Sequence, residues 1–243
     1  MEMRIRTGLL AAGIAVGVAA CGGSSSNGNS AASPATSHSP AALTAQEAKS
    51  LAAAAILRAA DMPGYTAKPG THDASDASSE AAEQRCLGLP PQQFRARDFG
   101  TMFTKGDLEV DSSADVASSV QDARQQLAAI TGSKAKACLK QTIDALVHSS
   151  GGTVRSFSAQ LVPVTIADAD AAFAYRLSVQ AAFNGQAVTI GGYEVGTLVG
   201  PVEVDTQSNG TAPLAQTLAQ IEHLAQISTT RERAAQHAAG IAA

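Results

Sequence analysis

The chain of 243 residues has no tryptophan, and its phenols are confined to Tyr65, Tyr175 and Tyr193. An aromatic platform for stacked bases is excluded, and sugar binding by stacked rings loses its usual means. Charged side chains make up 16% of the chain and its formal net charge is −4. No basic patch gathers phosphate-binding side chains, so nucleic acid is not an expected partner. Nor is there a polybasic segment to strengthen contact with anionic lipid. Long hydrophobic runs are missing as well. The longest, Leu9 to Ala20, is about 12 residues, whereas a membrane-spanning helix needs about 20. Catalytic signatures are equally scarce: there is no Gly-x-Ser-x-Gly elbow, no His-Glu-x-x-His and no phosphate loop. The residues give no sign of an enzyme and call for no cofactor.

The short apolar run does have a meaning. Arg4 and Arg6 precede it, and small residues end it at Val18-Ala19-Ala20-Cys21. A basic start, a short apolar core and small residues before a cleavage point describe a secretory signal peptide. Its last four residues resemble the lipobox of bacterial lipoproteins. That resemblance implies removal of residues 1–20, a diacylglycerol thioether on Cys21 and an N-acyl chain such as palmitate. Two or more chains hold a protein stably on its membrane, where one binds reversibly. Residues 21–43 are rich in Ser, Gly, Ala and Pro and show no hydrophobic period, so they read as a disordered tether. Residues 44–230 are enough for one domain with a sizeable core. The Ala-rich segment 231–243 reads as a flexible or frayed helical tail. Export puts Cys86 and Cys138 in an oxidising compartment, and neither has a neighbour at metal-ligand spacing. A structural disulfide is the expected state of the pair.

Within the domain, Thr44-Ala45-Gln46-Glu47 is a capping box that opens a helix. Pro63-Gly64 stops that helix. Thr71–Ser79 reads as a polar loop, and Glu80 to Leu87 as a short helix carrying Cys86. Helical spacing recurs over 119–130 and 133–148, the second placing Cys138 on its apolar face. The C-terminal half turns to strands. Phe173, Tyr175, Leu177, Val179, Ala181 and Phe183 alternate with small and polar residues, and Asn184-Gly185 follows as a two-residue hairpin turn. That turn opposes Ala181 with Val188, Val179 with Ile190 and Arg176 with Tyr193, a register that satisfies both faces at once. Gly191-Gly192 invites a bulge, a further strand spans about Val199 to Asp205, and a last helix carries Pro213 in its first turn. These elements predict an α+β fold: an antiparallel, partly meander sheet with amphipathic helices packed on one face.

Candidate chemical groups are few. His38, His72, His148, His223 and His237 are scattered, and each reads as solvated or structural. Asp168-Ala169-Asp170 has the composition of a loop or cap, with no further ligand cluster, so no metal is expected. Arg176 opposite Tyr193 is either an anion-binding position or a solvated arginine against a tyrosine.

Ala59-Ala60-Asp61-Met62-Pro63-Gly64-Tyr65 resembles the "ADLPGY" segment near the start of many actinobacterial lipoproteins. With the cysteines, the strand pair and the final helix, residues 45–230 are similar to the extracellular sensor domain of PknH-type receptor kinases. The chain departs from that pattern in having two domain cysteines rather than four, and no kinase domain. The resemblance implies a helix-on-sheet domain on the outer face of the cell membrane, and it carries no ligand residue over. Together these readings point to a non-catalytic envelope lipoprotein that binds a ligand or senses an envelope condition through a cleft between helices and sheet. The alternative is a structural or partner-binding lipoprotein without a small-molecule ligand. On the first reading, a pocket lies between the helix layer and the 173–195 hairpin.

Overall fold

The computed structural model describes residues 43–70, 72, 74–91, 93–211 and 217–241. Cys21, His38, Pro213 and the expected signal peptide and tether lie outside the described residues. The hairpin of β6 (Ala171–Phe183) and β7 (Gln186–Val199) dominates the sheet. Asn184 and Gly185 both take positive φ, 49° and 83°, as a tight hairpin turn requires. The register is the expected one, with Ala181 opposite Val188, Val179 opposite Ile190 and Arg176 opposite Tyr193. It runs through Gly191 and Gly192 without a bulge. A Cβ on Gly192 would lie 2.7 Å from the Ser208 carbonyl oxygen, so close strand approach accounts for the glycine there.

Around this hairpin the sheet is antiparallel and 8-stranded. β5 (Gly152–Val162) flanks β6, β8 (Val202–Thr211) flanks β7, and β4 (Leu108–Ala117) follows β8. The short strands β2 (Phe94–Asp98) and β3 (Thr101–Lys105) share the far side of β4, and β1 (Thr66–Pro69) pairs with β3. The strand expected to end near Asp205 runs on to Thr211, because Ser208, Asn209 and Gly210 continue the ladder to β7.

The α+β class and the antiparallel sheet are as expected, but the helices are not confined to one face. Strand alternation makes the division plain. Phe173, Tyr175, Val179, Ala181 and Phe183 on one side of β6 pack with Leu139, Ile143 and Val147 of α4 (Ala135–Ser149) and with Ile130 of α3 (Val120–Ile130). On the other side, Ala174 and Val195 pack with Ile221, Leu224 and Ala225 of α5 (Leu218–Ala238). α1 (Ala45–Ala55) joins that second layer, its Ala48, Leu51 and Ala55 set against Ala114, Val116, Val202 and Val204. Its capping box forms as expected: the Glu47 amide donates to Thr44 Oγ1 at 3.2 Å and the Thr44 amide donates to Glu47 Oε2 at 2.7 Å.

Of the segment expected to be a flexible or frayed helical tail, residues 231–238 are helical. They continue α5, where Gln236 Nε2 donates to the Val199 carbonyl at 2.7 Å and Arg231 pairs with Asp61. Polar contacts hold this end in place together with Ala235, which packs against the cluster of Ala48, Leu51 and Val204. α2 (Ala74–Leu87) begins earlier than the Thr71–Ser79 loop allowed. Its end is tied to α4 by the Cys86–Cys138 disulfide, with Cα atoms 5.6 Å apart.

Gly196 faces Phe173 across the β6–β7 pair, and the aromatic ring lies where a Cβ would be. Gly196→Ala is expected to drive the ring off its site and lower stability by about 1–3 kcal/mol. Chemical denaturation tests this, and an unchanged midpoint would contradict the packing described.

Candidate functional site

The face of the sheet that receives α3 and α4 changes character toward its centre. β6 presents Phe173 and Tyr175 there, but the neighbouring strands present acids. Register places Glu194 beside Tyr175 on one side and Gln207 on the other, with Asp111 beyond. One step along lie Gly196, Asp205 and Ser113, and one further Leu198, Glu203 and Asp115. β4, β8 and β7 therefore set Asp111, Asp115, Glu203, Asp205 and Glu194 on one continuous surface.

α2 lies over this surface and adds acids of its own, for Glu80, Glu83 and Gln84 are its buried residues. Its sequence holds no apolar stripe, so the usual force that seats a helix on a sheet is weak. Charge takes its place. Arg97 on β2 grips Asp115 with two hydrogen bonds, Nε to Oδ1 at 2.5 Å and Nη2 to Oδ2 at 3.0 Å, and reaches Glu80 at 3.3 Å. Phe94 and Phe99 pack against the guanidinium. His72 lies 2.8 Å from Glu80 through Nε2 and stacks on Phe99. Its role is thus structural, at the edge of the acid cluster.

Arg97 and His72 do not reach every acid. Glu194 is 1% exposed, and neither of its carboxyl oxygens has a partner among the described residues. Single oxygens of Glu203 and Asp205 are also unpartnered. A buried carboxylate without a partner is costly enough that the group takes up a proton instead. Burial pushes Asp115 up to about 6, even against the pull of Arg97. Burial, with repulsion from Glu80, lifts Glu83 to about 7; burial lifts Asp111 to about 7 despite a hydrogen bond with Gln207. Glu203 reaches about 8. Glu194 and Asp205 are raised well above the ordinary carboxyl range, first by burial and then by their acidic neighbours. The nearby Tyr175 phenol is raised to about 12 and donates to the Ile130 carbonyl at 2.7 Å.

Beside the hairpin, where a ligand pocket was expected, there is a small cleft lined in part by Glu194. The cavity has a volume of about 30 Å³ between Ile143 of α4 and Leu177, Val179, Ile190 and Gln207 of the sheet. One or two water molecules fit such a space, whereas drug-sized ligands occupy roughly 300–1,000 Å³. A larger hollow of about 210 Å³ lies elsewhere, between α3 and β2, lined by Pro90, Pro91, Phe94, Gln125 and Gln126 among others.

The residues singled out from sequence do not converge on a site. Arg176 is exposed, while Tyr193 opposite it is half-buried against the α5 layer. Asp170 accepts from the Gly200 amide at 2.6 Å and from Arg233 at 2.7 Å, and the Asp168 carbonyl also accepts from Arg233. These aspartates fasten α5 to a loop. His148, His223 and His237 are exposed. Among the described residues no group of side chains is arranged to hold a metal ion, and no helix is long and apolar enough to cross a membrane. The acid cluster was missed because a sheet covered on one side would turn alternate acids to water. The signal was nonetheless present, since the hairpin register itself puts Glu194 next to Tyr175 on the apolar face.

No protein-family model and no curated protein matches the sequence. Among solved structures, the chain is similar to the extracellular domain of PknH from Mycobacterium tuberculosis, at 12% identity and a TM-score of 0.43, covering 80% of this chain and 98% of that one. It is also similar to an uncharacterized protein, the Rv0999 ortholog, from Mycobacterium smegmatis, at 11% identity and a TM-score of 0.38, covering 75% of this chain and 96% of that one.

Because burial raises these carboxyl pKa values, the folded chain holds more protons than the unfolded chain between the ordinary carboxyl range and the raised values. The stability that these buried carboxyls contribute is full below about pH 4. It falls as pH rises through about 6, 7 and 8, where Asp115, then Glu83 and Asp111, then Glu203 ionise. Thermal unfolding at about pH 8 is expected on the order of 10 °C below that at about pH 5, and Glu194→Gln should narrow the gap. Equal melting temperatures would contradict the buried cluster.

Proposed function

We propose that this chain is a non-catalytic envelope lipoprotein, anchored through Cys21 on the extracytoplasmic face of the cell membrane, whose domain senses an envelope condition. The observation that carries this reading is Glu194: a buried, unpartnered carboxyl at the wall of a helix–sheet cleft. A group held so far from its ordinary state responds to small changes around it. The cleft takes water rather than a substrate, which favours sensing a condition over capturing a small molecule there. The anchor rests on the Val18-Ala19-Ala20-Cys21 segment, and the disulfide suits an exported domain. The partner-binding alternative draws little support, because the exposed large hydrophobics among the described residues are Val120 and Leu161, on α3 and β5.

Cell fractionation with detergent phase partition tests the anchor. The chain is expected in the membrane and detergent fractions, and Cys21→Ser should shift it to the aqueous phase. A chain found in the cytoplasm regardless of Cys21 would overturn the reading.

A further inference from the structure

The two edges of the sheet are built differently. β1 closes one side with 4 residues, and Lys68 and Pro69 stand in it. Shortness, lysine and proline are ordinary means of keeping an edge strand from pairing with another chain. β5 closes the other side with 11 residues. Among the described residues it pairs with β6 alone, and no loop backbone bonds to it. The N–H and C=O groups that point away from β6, at every second residue, are therefore open to another strand.

Only the ends of β5 carry guards. The ladder to β6 shifts between Val154 and Ser156, so Arg155 stands in a bulge. Pro163 follows the last residue, Val162. Between them Ser156-Phe157-Ser158-Ala159-Gln160-Leu161-Val162 holds no charge, proline or glycine. Phe157 and Ala159 pack toward α4, and alternation sets Leu161 on the same side, where it is 45% exposed. Ser156, Ser158 and Gln160 are exposed on the other side.

This stretch is complementary to itself. A twofold axis normal to the sheet at Ala159 sets Phe157 opposite Leu161 of a second copy, Ser158 opposite its Gln160 and Ser156 opposite its Val162. Each pair then occurs twice, Leu161 gains apolar cover, and the small Ala159 meets itself. Moving the axis to Ser158 draws the Arg155 bulge into the ladder, and moving it to Gln160 draws in Pro163. The two stops thus select one register. A strand that carries the same stops in reverse order fits between them, and β5 of a second copy is such a strand.

We propose that β5 is the docking edge for a second copy of this chain: two β5 strands pair antiparallel about Ala159 and join two 8-stranded sheets into one. The contact is made by backbone, so it needs no apolar patch. Twofold closure leaves only the guarded β1 edges free. The pairing requires neither the lipid anchor nor the acid cluster.

Sedimentation velocity of the full-length chain tests the pairing, in detergent with micelles in excess, from about 1 to about 100 μM chain. A dimer is expected to form within that range. Ser158→Lys and Leu161→Lys, at exposed positions that each occur twice at the interface, should weaken it about tenfold or more. Ala67→Lys, on the exposed side of β1, should leave it unchanged. Melting temperatures establish that the variants are folded. Hydrogen exchange of peptides from 152–162 supplies a second measurement that needs no variant, and it should slow as the chain concentration rises. A monomer throughout the range overturns the proposal, as does a dimer undisturbed by both β5 lysines or lost in Ala67→Lys. Protection of β5 that does not depend on concentration also overturns it, and assigns the edge to a segment of the same chain outside the described residues.

Discussion

A carboxyl group shut away from water must find a cation, find donors or keep its proton, and this fold is organised around acids that do not all find the first two. Asp115 is gripped by Arg97, and Glu80 by Arg97 and His72. Glu194 has no partner among the described residues. The other features follow from that constraint. The sheet centre is polar where a core is usually apolar, so the apolar clusters lie beside it and on the opposite face. The helix over the acids is polar too, and a disulfide supplies part of the attachment that hydrophobic packing supplies elsewhere.

Glycine and aromatic residues make the adjoining cleft possible. Phe173 lies over Gly196 and Phe183 over Gly152, each ring filling the space of a missing Cβ. The packed half of the face is therefore rigid and close-fitting, anchored by Leu139, Ile143 and Val147. The acidic half begins where that packing ends, at Tyr175 and Glu194.

Much of this was legible in the sequence where local chemistry decides. Asn184-Gly185 fixed the hairpin register, Thr44 with Glu47 fixed the start of α1, and the absence of ligand spacing around Cys86 and Cys138 pointed to their disulfide. The failures have one source. Acids at alternate positions in Leu108–Asp115 and Val202–Asp205 look like the wet side of a one-sided sheet, and only a second helix layer buries them. The first turns of α2 and the firm seating of the end of α5 were less legible, because polar pairs such as Arg97–Glu80 and Gln236–Val199 contribute where an apolar stripe would give a sequence signal. β2 and β3 are too short to show a period and are held by pairing with β4.

The central claim is that protons, rather than cations, neutralise this interior. Carbon-13 NMR titration of the glutamate side-chain carboxyls, assigned through Glu194→Gln and Glu203→Gln, measures this directly. The account predicts that Glu203 titrates near 8 and that Glu194 stays protonated well above the ordinary carboxyl range. Titration of both in the ordinary range, at about 4.3, would contradict it.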